Sequence, residues 1–317
     1  MFRSVMIVLL LFPLCLQADH RMMKLGQGQE IPQPDWFKDS FLEFSDDLEE
    51  ATDADKRLVL YYHQAGCPYC YNLITQVFKD PAIDALMQDN FDLIALNLWG
   101  DREITLPDGS VLTEKDLAVK LKIQYTPTLL FLDESGTPEL RIDGYRPPAL
   151  FQQQVQSLLG HQAASAVIAQ QSTETVDLSP MKQPIAIQFV SANCDHCVQF
   201  ENDILKRNET INLLTRFNHR TVDLAQNPML ILPSGEKLPA SDWVRQLGLS
   251  YFPSWLLLDN KGQERLRIDA YVRAFHFHAA LEFVSEQRYV DMPEFQRYIN
   301  ERGDRFRAAG KTVNILD

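Results

Sequence analysis

Four cysteines carry the chemistry of this chain, in two pairs of one spacing: Cys67 and Cys70 in "CPYC", Cys194 and Cys197 in "CDHC". A disulfide across two intervening residues closes a very small loop. It takes little entropy from the unfolded chain and is a weak staple. The spacing suits a reversible dithiol instead. One sulfur attacks a disulfide as the thiolate and forms a mixed disulfide, and its neighbour resolves it. In both places the first cysteine follows an apolar run and opens a helical pattern. A helix N-terminus offers unpaired N–H groups and partial positive charge, which stabilise a thiolate. No metal site is assigned. A four-cysteine zinc site draws its second pair from about 15–20 residues away, whereas 123 residues separate these pairs. His276 and His278, two apart on a helix, point to different faces.

The fillings of the two pairs differ. Pro68 stiffens the first helical turn and Tyr69 adds no charge. His196 can place positive charge near the Cys194 sulfur, which favours the thiolate and makes the disulfide the stronger oxidant. Asp195 opposes it. Two unit charges about 4 Å apart are worth roughly 4 kcal/mol at an effective dielectric near 20, so side-chain geometry decides the sign. The expectation is two inequivalent centres, working in series or on different substrates.

The elements that position these pairs come as a duplication. "LPDGSVLTEKDLAVKLKI" (106–123) aligns with "LPSGEKLPASDWVRQLGL" (232–249), "YTPTLLFLD" with "YFPSWLLLD", and "LRIDGY" with "LRIDAY", all at an offset of 126 residues. The cysteine pairs are offset by 127. A register shared by three separated stretches identifies a repeated domain. Copy one reads as strand 57–63, a helix from Pro68 to Asp80, strand 91–99, helix 113–121, strands 128–133 and 139–145 joined by a turn at Glu134–Gly136, then a helix. Copy two repeats this order, with one long helix running to about Thr215. Strands joined through a helix are parallel and the last two form a hairpin, which gives an α/β fold: in each copy a mixed β-sheet flanked by helices. Pro127 and Pro253 head a strand in each copy. Proline is excluded from central strands, and the position makes sense if each X–Pro bond is cis and the loop faces the cysteines. Thr126 and Phe252 would then offer backbone hydrogen bonds to an extended peptide.

The ends read differently. Residues 1–18 have a short basic start, an apolar run of 12 and a small residue at Ala18, as in a cleaved export signal. Cys15 would leave with it. The stretch 34–55 reads as an acidic amphipathic helix with Phe37, Phe41, Phe44 and Leu48 on one face, 161–180 as a small, polar linker, and 287–317 as a helical tail on the second domain, with Phe295, Tyr298, Ile299 and Phe306 at helical spacing. The resulting division is 19–160, a first domain with its N-terminal extension, and 181–286, a second. A formal charge of -13 argues against nucleic acid or an anionic membrane surface as partner.

With "GCPYC", "VFKDP", "TEKDLAVKL" and "YTPTLLFLD" in copy one, and "CDHC" and "YFPS" in copy two, the chain resembles the thioredoxin superfamily along both repeats. Copy one is similar to the exported, Sox-type thioredoxin-related proteins. The resemblance implies two thioredoxin-like domains and thiol–disulfide exchange in the periplasm, as a disulfide reductase and without a prosthetic cofactor. It implies attacking roles for Cys67 and Cys194, resolving roles for Cys70 and Cys197, and cis-proline roles for Pro127 and Pro253. Substrates would be exported proteins with disulfides, and electrons would come from a membrane thiol-electron transporter. Disulfide isomerase or oxidase chemistry, and a non-catalytic module holding peptide or copper, remain open from the same residues. One departure stands out. The family's buried aspartate, six residues before the first cysteine, is replaced by Tyr61 and by Gln188.

Overall fold

The computed structural model describes residues 30–160, 174–311 and 313. The leader, Cys15 and residues 161–173 of the expected linker lie outside these.

Strand β1 (Arg57–His63) is an unbroken apolar run because both of its faces are covered. It is followed by α2 (Pro68–Asn72), after α1 (Phe44–Asp53) upstream. Next come α3 (Pro81–Asn90), β2 (Phe91–Asn97), β3 (Glu103–Thr105), β4 (Val111–Thr113), α4 (Glu114–Lys120), β5 (Thr128–Leu132), β6 (Pro138–Asp143) and α5 (Pro148–Leu158). The sheet order is β2-β1-β5-β6, with β1 and β2 parallel and the other pairs antiparallel. Successive β1 residues feed opposite cores. Val59 and Tyr61 pack with Phe78, Phe131 and Phe151, while Leu58, Leu60 and Tyr62 pack with Phe44, Leu96 and Leu117.

The second half repeats the plan with β7 (Thr175–Asp177), β8 (Ile185–Val190), α6 (Asp195–Phe200), α7 (Asn208–Leu214), β9 (Asn218–Asp223), β10 (Met229–Ile231), β11 (Lys237–Pro239), α8 (Ala240–Leu247), β12 (Ser254–Leu258), β13 (Glu264–Ile268) and α9 (Ala274–Ser285). Its sheet runs β13-β12-β8-β9 with the same orientations. Helix α10 (Phe295–Ala308) buries Phe295, Tyr298 and Ile299 in the second core, where Arg302 bonds Glu282. Among the described residues no helix is long and apolar enough to cross a membrane.

Several local readings change. The acidic amphipathic helix begins only at Phe44, because Leu42 takes a left-handed backbone (φ 65°) that a helix does not continue through. Phe41 is therefore 98% exposed instead of sharing a face with Phe44 and Leu48, and Phe37 packs on Trp36, Tyr61 and Phe78. The helix after each cysteine pair is α-helical only at its start, and in the second copy it breaks at Arg207 instead of running to about Thr215. A π-helical turn follows that start, Leu73–Val77 in one copy and Glu201–Leu205 in the other, and the chain then restarts a separate helix. Asp80 caps the first restart by accepting from the Ala82 and Ile83 N–H groups, with Pro81 preset at the first helical position. Within the stretch read as linker, Thr175–Asp177 form β7, paired in parallel with β10.

The halves meet where Gly144 faces Ala270, positions equivalent in the repeat. A Cβ on Gly144, whose φ is +72°, would fall 2.6 Å from that of Ala270. Contact between equivalent positions is the mark of an isologous, two-fold-like seam, here within one chain. Across it Gln154 donates to the Ser250 carbonyl, Gln124 to that of Arg265, and Tyr125 packs edge-on to Phe295.

Candidate active site

Each cysteine pair sits where the central strand hands over to a helix. Cys67 is the N-cap residue of α2, and its Sγ accepts from the Cys70 N–H at 3.0 Å. Cys194 does the same for α6, with the Cys197 N–H at 3.1 Å. These are the orphan donors expected at a helix start, aimed at sulfur. Both pairs are joined as disulfides. The two X–Pro bonds, Thr126–Pro127 and Phe252–Pro253, are cis. Each leading sulfur lies 3.5 Å from the carbonyl oxygen of the residue before that proline, Thr126 for Cys67 and Phe252 for Cys194. The structure thus brings Cys67, Cys70, Thr126 and Pro127 together in one place, and Cys194, Cys197, Phe252 and Pro253 in another.

Beneath the first pair, where the resemblance calls for a carboxylate, Tyr61 is fully buried. Its hydroxyl has no hydrogen-bond partner among the described residues, and burial drives its pKa far up. It is no base. At the matching position of the second copy Gln188 is buried, its amide oxygen 3.4 Å from the Thr221 hydroxyl. His63 stacks on Tyr61, and burial lowers its pKa.

Exposure separates the two sites. Cys67 is 4% exposed and Cys70 0%, and Thr126 is also buried. Their cover comes partly from the other half of the chain. Tyr69 lies edge-on to His276 of α9 at 5.8 Å, and its burial raises its hydroxyl pKa to about 12. Gln64 donates to Thr126 Oγ1 (2.9 Å) and to Gln296 of α10 (3.0 Å), while Gln296 donates to the Gln124 carbonyl (3.1 Å). Trp99 fixes Gln64 by donating to its amide oxygen, and Arg297 lies over the Trp99 ring. At the second site Cys194 and Cys197 are only half-buried, Asp195 is exposed, and Val198 beside them is 59% exposed. His196 packs on the Tyr251 ring at 5.4 Å, while Asp195 points to solvent.

The loops before the prolines rest on a repeated aspartate with different partners. Asp143 accepts from Thr128 Oγ1 and from Arg141 Nε, each at 2.8 Å. Burial works against its charge, yet Arg141 holds the carboxyl below the usual range. Asp269 accepts from the Ser250 and Tyr251 N–H groups, from the Ser250 and Ser254 hydroxyls, and from Arg146 of the first domain at 3.0 Å. Here burial outweighs the arginine and pushes the carboxyl up. Gln64, Gln296 and Arg146 are not marked by any motif, whereas Tyr251 and Asp269 lie inside the matched stretches "YFPSWLLLD" and "LRIDAY". Arg146 stands just past the matched "LRIDGY" and "LRIDAY", opposite Val272, where the two copies no longer align residue for residue.

Among the described residues no cluster of three or more His, Cys, Asp or Glu could hold a metal ion. A family model described as a thioredoxin-like domain matches twice, at residues 44–159 and 172–285. A thioredoxin-fold protein from Helicobacter pylori is 17% identical with a TM-score of 0.36, over 44% of this chain and 96% of that one. A putative disulphide-isomerase from Bacteroides thetaiotaomicron is 23% identical (TM-score 0.32; 42% and 100% covered), and a thioredoxin from Thermus thermophilus 23% identical (TM-score 0.29; 39% and 95%). No curated protein matches the chain.

Proposed function

Because the chain belongs to the thioredoxin-like family in both of its repeats, we propose that it exchanges disulfides with exported proteins, as a disulfide reductase whose open, client-facing centre is Cys194–Cys197. One observation carries the exchange reading. In both domains a bonded sulfur pair sits at a helix start, with its leading sulfur against the carbonyl before the domain's proline. A disulfide-bearing peptide laid along that carbonyl would present its sulfur to the same spot.

In the reduced protein the Cys194 thiolate attacks one sulfur of a client disulfide. A bond forms between them, and the client's other sulfur leaves as a thiolate that takes up a proton. Cys197 then loses its proton and attacks Cys194. The second client sulfur is released, and Cys194–Cys197 is left oxidised by two electrons. Cys197 is half-buried, which leaves it open to water as a proton acceptor. A second thiol system must return the electrons, and a membrane thiol-electron transporter fits that role. The leader sequence supports export to the periplasm.

Insulin reduction with a chemical electron donor tests the reading. A Cys67→Ser, Cys194→Ser double variant should lose turnover. If it reduces insulin as well as the unaltered chain, the proposal fails.

A further inference from the structure

We infer that Arg146, a residue of the first domain, is a positioning residue for the second dithiol, holding the Ser250–Pro253 loop in place against Cys194. The inference rests on the exchange reaction proposed above.

Arg146 is completely buried. Its Nη1 donates to the Asp143 carbonyl of its own domain at 2.6 Å. Its Nη2 donates across the seam to both the backbone carbonyl and the carboxylate of Asp269. The guanidinium also lies over the Tyr251 ring, 4.7 Å from its centroid, a cation–π contact strengthened by the exclusion of water. Asp269 and Tyr251, its partners in the second domain, anchor or belong to the loop that faces Cys194. Asp269 takes both N–H groups at Ser250 and Tyr251 and the hydroxyl that opens β12, Ser254. Phe252 follows directly and puts its carbonyl 3.5 Å from Cys194 Sγ. Tyr251 is also the ring on which His196, between the two cysteines, is packed.

The duplication supplies the control. The first domain's Asp143 is paired with Arg141 of its own strand. The equivalent second-domain arginine, Arg267, is turned away to Glu264 and the Leu247 carbonyl. Asp269 therefore has no local arginine, and Arg146 supplies the charge from the other domain. Planar, two-handed donation of this kind is what a guanidinium offers and an ammonium does not.

Full-length chains carrying Cys67→Ser and Cys70→Ser leave the second dithiol alone to report. After reduction, two rates are read: reaction with insulin, which needs the peptide groove, and reaction with hydroxyethyl disulfide, which does not. Arg146→Lys keeps a cation beside Asp269 but loses the fork and the flat cover on Tyr251; Arg146→Gln also removes the charge. The insulin rate is expected to fall about tenfold with lysine, the size of one lost charge-assisted hydrogen bond, and further with glutamine. The small-disulfide rate should stay within about twofold, since the sulfurs keep their own backbone donors. Should Arg146→Gln fail to fold, Arg146→Lys supplies the same comparison. An unchanged insulin rate in folded Arg146→Lys overturns the inference, and so does an equal fall in both rates, which would make the residue merely structural. A chain with Arg146 intact that is inert toward insulin overturns the exchange reading instead.

Discussion

The two dithiols share a backbone plan and differ in what lies over them. Cys67 is 4% exposed, with Tyr69 of the same turn against His276 and with its neighbour Thr126 bonded to Gln64, which pairs with Gln296, whereas Cys194 stands half-open near an exposed Val198. Duplication alone would have made two equal centres. The seam adds to the difference in filling: His276 and Gln296 of the second half contact Tyr69 and Gln64 near the first site, while Arg146 of the first domain holds Asp269 behind the loop of the second. An identical spacing of cysteines therefore does not fix their exposure.

The largest effect that could break this comparison is a difference in thiol reactivity. In the reduced full-length chain, iodoacetamide should label Cys194 about 100-fold faster than Cys67, because the buried site must open before it reacts. Labelling at equal rates, read by mass spectrometry of the peptides, would end the account of a sealed first site. A smaller change should loosen the seal. Gln296→Ala removes hydrogen bonds to Gln64 and Gln124, worth together about 1–2 kcal/mol. Cys67 labelling should rise about tenfold and Cys194 labelling should not move.

Redox poise should sharpen the contrast further. Full-length Cys67→Ser, Cys70→Ser and Cys194→Ser, Cys197→Ser chains should differ in reduction potential by about 30 mV or more, the tenfold step for a two-electron couple. Values within about 10 mV of each other would remove the argument for two distinct centres. The smallest effect is acid sensitivity of the seal. Burial, with Arg302 adding to it, pushes the His276 imidazole down to about 4. Its folded pKa lies below the unfolded value near 6.5, so the stability it contributes is complete above about pH 6.5 and is lost as the pH falls toward 4. Between pH 7.5 and 4.5 the thermal midpoint should fall less in His276→Phe than in the unaltered chain. Equal falls would show that His276 does not carry the effect.

Much of this was legible in the sequence, and the reasons are physical. The repeat register, the strand runs and the paired cysteines all arise from local chemistry, and they led to two mixed sheets flanked by helices, which the structure bears out. Local pattern misled where the backbone turns against it. Phe41 keeps the helical period, but the left-handed Leu42 cancels it. In the second copy the helix breaks at Arg207, whose extended backbone (ψ 136°) separates it from a second helix, and periodicity does not see that break. The seam was hidden for another reason. Gln64 and Gln296 are 232 residues apart, and neither amide carries a signature until the fold joins them. Arg146 was hidden as well, since it lies just past the point where the matched register ends.

Trapping tests the central claim most directly. Full-length Cys197→Ser and Cys70→Ser chains are each reduced and then offered a peptide with one disulfide. The account predicts a persistent mixed disulfide on Cys194 in the first chain, and little or none on Cys67 in the second. Equal adducts on both sulfurs would contradict the division between an open and a sealed centre, and adducts on neither would contradict disulfide exchange itself.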